Sequence, residues 1–234
     1  MGIKEAIILA GGLGTRLRSA VPDLPKCMAP VNGKPFLTYV INHLLAQEIE
    51  HFIFSLGYKS EVIIDFLAKD FPSLFFKTSI EEEPLGTGGA IKKACKIAKD
   101  NCVLVTNGDT LYKIDVEKIA GVHCLTGAAC SLNLKPMQNF DRYGVVEIDQ
   151  HCIIKSFKEK QFYESGLING GSYALHTHKF LDERLPDKFS FETDYLEKYY
   201  QKRRMFGVVQ DEYFIDIGIP EDFERAQVEL RDEE

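Results

Sequence analysis

The chain reads as an α/β protein with a mostly parallel central sheet flanked by helices, and three features of the sequence lead there. The first is the unbroken apolar run Ala6, Ile7, Ile8, Leu9, whose branched character suits a strand covered on both faces. The second is the order of the first half, where strand-like and helix-like segments alternate as β, α, β, α, β, α, β and so predict right-handed crossovers and parallel pairing. The third is a change of rhythm after residue 125, where short strands between turns predict a small mixed or antiparallel lobe over the rim of the sheet.

The opening strand runs into Gly11, Gly12 and Gly14, followed by Arg16 and Arg18. Glycine lets the backbone approach a ligand closely. N-H groups turned inward by such a loop make an anion site, to which Arg16 adds a planar fork that matches phosphate oxygens. A dinucleotide fingerprint is excluded, because Gly12 and Gly14 are followed by Leu17 instead of a third glycine. A P-loop is excluded as well, because Gly33-Lys34 runs into Pro35. A plain tight turn would use the same glycines, and the arginines favour phosphate.

Residues 22–35 are punctuated by prolines and cannot be a helix. Phe36, Leu37, Val40, Ile41, Leu44 and Leu45 then fall at helical spacing, predicting a helix over 36–47 after Pro35. Strands are expected at 51–56, ended by Gly57, and at 74–78, with a helix over 60–69 between them. The acidic, glycine-rich loop 81–90 precedes a helix over 90–98 and a strand over 103–106 that ends in Asn107-Gly108-Asp109. Ligands of parallel sheets gather beyond the carboxyl ends of the strands, so the opening loop, the Glu83 loop and Asp109 should share one rim. In the second half, strands are expected at 128–134, 144–148, 153–157, 172–175 and 207–209, with helices over 191–200 and, after Pro220, over 221–230.

A chain of 234 residues suits one large α/β domain, and an apolar fraction of 45% with 27% charged residues is that of an ordinary globular protein. The net charge of -7 argues against a nucleic-acid binder but leaves anionic small molecules open, since a few placed cations or a carboxylate-held metal reverse the local potential. Six cysteines without a Cys-x-x-Cys pair suggest neither zinc nor redox chemistry and read as buried free thiols. With no leader-like or membrane-length apolar stretch, a cytoplasmic protein without a membrane partner is expected.

Asp109, in a Gly-Asp corner at the presumed rim, is placed to hold a hard cation such as magnesium, which needs only one or two protein carboxylates. Asp216 is the second candidate, since it interrupts the apolar Phe214, Ile215 and Ile217 and precedes Gly218; a turn or cap role is the alternative for both. Lys26, between prolines, and Lys160 would each read as solvated surface lysines if taken alone. The pair His176 and His178 is assigned no role, and no nucleophile motif points to covalent catalysis.

Taken together, LAGGLGTRL (9–17), PKCMAPVNGKP (25–35), EPLGTGGA (83–90), NGD (107–109), YGVV (143–146), FKEK (157–160), NGG (169–171) and DIGIPEDF (216–223) resemble the sugar-1-phosphate nucleotidyltransferase family in order along nearly the whole chain. The resemblance implies a single Rossmann-like nucleotidyltransferase domain with a nucleotide-binding half, about 1–125, and a sugar-binding half, about 126–234. A sugar 1-phosphate would attack the α-phosphate of a nucleoside triphosphate and release pyrophosphate. It further implies nucleotide contacts from Leu9, Ala10, Gly11, Gly12, Gly14, Thr15, Arg16, Lys26, Glu83, Gly88 and Gly108, with Arg16, Lys26 and Asp109 catalytic. Asp109 and Asp216 would bind Mg2+, Lys160 would hold the sugar phosphate, and Gly144, Glu159, Asn169 and Gly170 would surround the sugar.

Within the family, EEEPLGTGGA resembles guanylyltransferases, where thymidylyl enzymes usually carry glutamine near Glu83, so GTP is the favoured nucleotide. The short length and the segments NGGSYAL and FSFETD look most like the branch that acts on D-glycero-α-D-manno-heptose 1-phosphate to make GDP-heptose for surface polysaccharide. Thr193 departs from the lysine that relatives often carry. Alternatives are a guanylyl- or uridylyltransferase acting on mannose or another hexose phosphate, and a catalytically silent sugar-nucleotide sensor. Retention of Arg16, Lys26, Asp109, Lys160 and Asp216 argues against silence. Whether the chain forms a homo-oligomer is left open.

Overall fold

The structure, a computed structural model, describes residues 2–12 and 23–231. Strand β1 (Glu5–Leu9) lies inside a seven-stranded sheet, next to its central strand, and its Ala6, Ile7 and Ile8 are wholly buried. Strands β2 (His51–Leu56), β3 (Phe76–Ile80) and β4 (Cys102–Asn107) form a parallel group with it in the spatial order β3-β2-β1-β4. Helices α1 (Phe36–Ala46), α2 (Ser60–Asp70) and α3 (Gly86–Cys95) fill the crossovers. Successive strand side chains point to opposite faces, which explains the unbroken apolar run. Ile8 packs in a core with Phe36, Val40 and Ile41 of α1 and Ile63 and Leu67 of α2, whereas Ile7 joins Ile91 and Ala94 of α3 on the other face.

After Asp109 the chain forms the short β5 (Thr110–Tyr112) and α4 (Val116–Thr126), then β6 (Cys130–Phe140). The hairpin β7 (Val146–Ile148) and β8 (Ile154–Phe157) leads to the long β9 (Tyr163–His176). The short α5 (Thr177–Leu181), a π-helical turn at Phe191–Leu196 and the single-turn α6 (Glu197–Tyr199) follow. The chain then runs through β10 (Met205–Val209), β11 (Phe214–Asp216) and α7 (Pro220–Glu229). The whole sheet runs β10-β6-β9-β4-β1-β2-β3. Strand β9 enters antiparallel to both β4 and β6, and the other four pairings are parallel, so the sheet is mostly parallel as expected.

The expected lobe is continuous with this sheet. The outer halves of β6 and β9 pair beyond its edge, Lys135 opposite Ile168 and Phe140 opposite Tyr163, over a small core of Phe140, Val145 and Ile168. A strand expected only at 172–175 is 14 residues long because Gly166, Gly170 and Gly171 hide it. Gly171 sits at φ +69, and the pairing with β6 shifts register between Asn169 and Tyr173, so the strand bends there without ending.

Other differences also have local causes. Helix α3 begins at Gly86, not at residue 90, because its first turn packs against the 187–189 segment, where a Cβ on Gly88 would run into the Phe189 ring. Helix α4 is a further element, started by the Asp115 side chain, which accepts from Lys118 N, and ended by Gly127 at φ 58. The helix expected over 191–200 is instead the π-helical turn and α6. All six cysteines are free, but only Cys27, Cys95 and Cys130 are buried, while Cys124 and Cys152 are exposed. No helix among the described residues is long and apolar enough to cross a membrane.

His123 of α4 is buried against β6, its Nδ1 sharing a 3.0 Å hydrogen bond with Ser131 Oγ. Burial first, then the neighbouring His176 and Lys179, pulls its pKa down to about 4. The folded state therefore binds fewer protons than the unfolded one between its ordinary pKa of about 6.5 and about 4. The neutral ring contributes in full above that window, and its contribution is lost as pH falls through it, by up to about 3 kcal/mol. Urea titrations from pH 7 to pH 4 should show that loss, and His123→Gln should flatten it; an unchanged slope would contradict the assignment.

Candidate active site

The carboxyl ends of β1 and β4 open into a cleft of about 500 Å³. Its floor is Leu9, Gly11 and Gly12, with Ser55 from β2, Asn107 at the end of β4, Asp109 just beyond it, and Gly86, Thr87 and Ala90 from the start of α3. Gly11 is required by close approach, since a Cβ there would lie 3.0 Å from Glu81 Oε1 and 3.1 Å from Gly57 N. Glu81 is itself held in the wall, its Oε2 accepting from Leu85 N at 2.9 Å.

Strands β5 and β11 pair antiparallel with Thr110 opposite Asp216, which carries Asp109 and Asp216 to the same place. Lys26, from a 3₁₀ turn (Lys26–Met28) just after Pro25, inserts its Nζ there. The ammonium lies 2.5 Å from Asp109 Oδ2 and 3.3 Å from Asp216 Oδ1. The three side chains are only 13%, 30% and 21% exposed, so their charges are screened less than those of surface pairs. Gly218 N donates to Asp216 Oδ1 at 2.8 Å, and a Cβ on Gly218 would come within 2.8 Å of both Asp216 Oδ1 and Lys26 Nζ. Ile217 N, bonded to Asp109 O at 3.1 Å, ties the two segments together. Neighbouring Cys27 is buried, and that burial, followed by the charge of Asp109, pushes its thiol up to about 12, so it is no nucleophile.

A second cleft of about 550 Å³ adjoins the first, and Thr87 and Asn107 line both. Its walls include Tyr143 and Gly144, Lys158, Glu159 and Lys160 after β8, Asn169 and Gly171 of β9, and Glu192, Thr193 and Glu197. Burial first, then the charge of Asp216, pushes the Tyr143 phenol up to about 12. Asn169 spans the bend of β9, donating from Nδ2 to Tyr173 Oη at 2.9 Å and accepting from Gly171 N at 3.0 Å. Lys158 is engaged by Glu147 at 2.5 Å, whereas Lys160 has no acidic partner among the described residues.

Of the residues singled out from sequence, Leu9, Gly11, Gly12 and Asp109 line the first cleft, Lys26 and Asp216 meet Asp109, and Gly144, Glu159, Lys160 and Asn169 line the second. Gly14, Thr15 and Arg16 lie outside the described residues. Five others stand outside the lining of both clefts. Ala10 is buried behind the floor, its N-H given to Ser55 O. Gly108 is packed on β1, donating to Leu9 O at 2.9 Å. Gly88 and Gly170 face the rings of Phe189 and Tyr112 and line neither cleft. Glu83 is exposed outside the first cleft, and Glu81 takes the place in its wall.

Sequence reasoning missed Thr87, Asn107, Gly171, Glu192 and Gly218. Gly171 and Gly218 were visible as glycines within the NGG and DIG segments, but Thr87 and Glu192, whose Oγ1 and Oε2 bond at 2.6 Å, are 105 positions apart.

Residues 5–233 match the Nucleotidyl transferase family. The chain is 48% identical over 227 residues to D-glycero-alpha-D-manno-heptose 1-phosphate guanylyltransferase of Aneurinibacillus thermoaerophilus, covering 97% of this chain and 98% of that protein. It is also 48% identical over 219 residues to the Campylobacter jejuni subsp. jejuni protein of the same name, covering 94% and 96%. Among solved structures, HddC from Yersinia pseudotuberculosis complexed with GMP-PN superposes with a TM-score of 0.87 at 40% identity, covering 97% of this chain and all of that one. With the whole sheet and both clefts inside the matched span, the chain belongs to the nucleotidyl transferase family.

Proposed function

We propose that the chain joins a sugar 1-phosphate to a nucleoside triphosphate with release of pyrophosphate, using GTP and D-glycero-α-D-manno-heptose 1-phosphate to make GDP-heptose. The observation that carries this reading is the meeting of Asp109 and Asp216 around one cationic centre, beside a glycine-floored cleft that joins a second cleft. The choice of GTP and of a heptose is supported by the two 48% identical relatives, and the GMP-PN complex of HddC supports a guanine nucleotide. A sheet that draws strands from both halves supports one domain with a nucleotide half and a sugar half. The free thiols fit a reducing cytoplasm.

In this reading an anionic oxygen of the sugar phosphate forms a bond to the α-phosphorus, the bond from that phosphorus to the bridging oxygen of the β-phosphate breaks, and the electron pair leaves on pyrophosphate. Such a nucleophile is already ionised near neutral pH, so no general base is required, and rate comes from alignment and charge stabilisation. The backbone at Gly11 and Gly12 faces the triphosphate, and Arg16 adds its fork. Lys26 offsets the charge that grows on the leaving pyrophosphate. Lys160 holds the sugar phosphate, with Gly144, Glu159 and Asn169 around the sugar.

Asp109 and Asp216 suit a magnesium ion: their carboxylates already gather around one cation, the Lys26 ammonium, and this hard ion requires no more than one or two carboxylates. No cluster of three potential ligands stands among the described residues, as fits an ion that keeps its waters and borrows phosphate oxygens. When bound, such an ion neutralises and orients phosphate oxygens.

Pyrophosphate release from each of four nucleoside triphosphates with hexose and heptose 1-phosphates should be greatest for GTP with the heptose. Turnover with UTP alone would overturn the guanine assignment, and no release from any pair would overturn the reaction class. Asp109→Asn should lower turnover about 100-fold or more, the scale of losing one preorganised charge, while leaving the melting temperature nearly unchanged. Near-normal turnover in that variant would remove Asp109 from the reaction.

A further inference from the structure

One wall of the second cleft is built by a rare backbone form. The π-helical turn Phe191–Leu196 closes with Glu197 N donating to Glu192 O, a bond across five residues. Side chains five apart therefore fall on one face, where an α-helix would align those three or four apart. Such single turns are frequent at functional sites.

The turn is held firmly. Phe191, Tyr195 and Leu196 are fully buried, with both rings packed on Phe180. Phe191 N donates to Thr87 Oγ1 at 2.9 Å, and Asp194 Oδ2 accepts from Ser190 N at 2.9 Å. With its apolar side fixed, the turn presents Glu192, Thr193 and Glu197 to the cleft. The two glutamates differ in what they hold. Glu192 Oε2 already accepts from Thr87 Oγ1 at 2.6 Å and Ser190 Oγ at 3.0 Å, at the seam with the first cleft. Glu197 stands one turn further on, at the exposed mouth, and its carboxylate accepts from no side chain among the described residues. Glu197 and Glu159 line the same cleft; partial burial, followed by the charges of Glu159, Glu192 and Asp194 and partly offset by Lys198, pushes Glu197 above the ordinary carboxylate range.

Two carboxylates lining one cleft are best satisfied by a neutral group with several hydroxyl donors. A second anion would be repelled there, and Lys160 offers it a better place. We propose that Glu197 is a specificity-determining residue that accepts hydrogen bonds from hydroxyls on the exocyclic arm of the sugar, opposite Glu159. This rests on the reading of the second cleft as the sugar 1-phosphate site. A site built to bond a hydroxyl discriminates strongly against an analogue that lacks it, so the residue would favour a heptose over a hexose.

Initial rates at saturating GTP should be compared for heptose 1-phosphate and mannose 1-phosphate in the wild type, Glu197→Ala and Glu197→Gln. Glu197→Ala should raise KM for the heptose substrate about 10-fold, as expected for loss of one charged acceptor, with kcat and the GTP KM unchanged. KM for mannose 1-phosphate should move less than about 2-fold, because that sugar lacks the extra carbinol carbon. Glu197→Gln, which keeps an acceptor oxygen, should recover most of the heptose KM. An unchanged heptose KM in Glu197→Ala, or an equal rise for both sugars, would overturn the proposal. A wild type that turns over neither sugar would remove the reading of the cleft, and the proposal with it.

Discussion

The rest of the site depends on the cationic centre shared by Asp109 and Asp216. Two carboxylates held this close repel each other, and the arrangement is tolerable only with positive charge between them, here the ammonium of Lys26. Neither acid is placed by its own segment. Asp109 is delivered by the end of β4, Asp216 by the end of β11, and the β5–β11 register brings them together. Lys26 arrives from a proline-braced turn on a third segment. The absence of a Cβ at Gly218 leaves room for both the Asp216 carboxylate and the Lys26 ammonium.

Around that centre the fold separates two tasks. The parallel half supplies a glycine floor and the first turn of α3, while the long β9 and the π-helical turn build the second cleft. Thr87 links them, since its hydroxyl donates to Glu192 and accepts from Phe191 N. Asn107 faces both clefts from the end of β4. The seam is therefore a short hydrogen-bonded wall shared by two binding spaces.

The parallel core was legible because burial on both faces demands an apolar run, and few other structures tolerate Ala6 to Leu9 in that form. The cap residues of α4 were present in the sequence, but an exposed Leu125 and a buried His123 blur its apolar stripe. Strand β9 was shortened by its own glycines, which permit a bend as readily as a turn. Motif glycines were the least informative: Gly11 is small because backbone and Glu81 lie close, Gly88 because Phe189 does, and the letter is the same in both. Side chains joined only by tertiary structure, such as Thr87 with Glu192, left no local pattern.

The central claim is that Asp109 and Asp216 act as one cation site. Manganese affinity in the presence of GTP, measured by electron paramagnetic resonance for Asp109→Asn, Asp216→Asn and the double variant, tests it most directly. One shared site predicts strong coupling, each single substitution weakening manganese nearly as much as both together. Losses that simply add, or a single variant that binds manganese like the wild type, would contradict it.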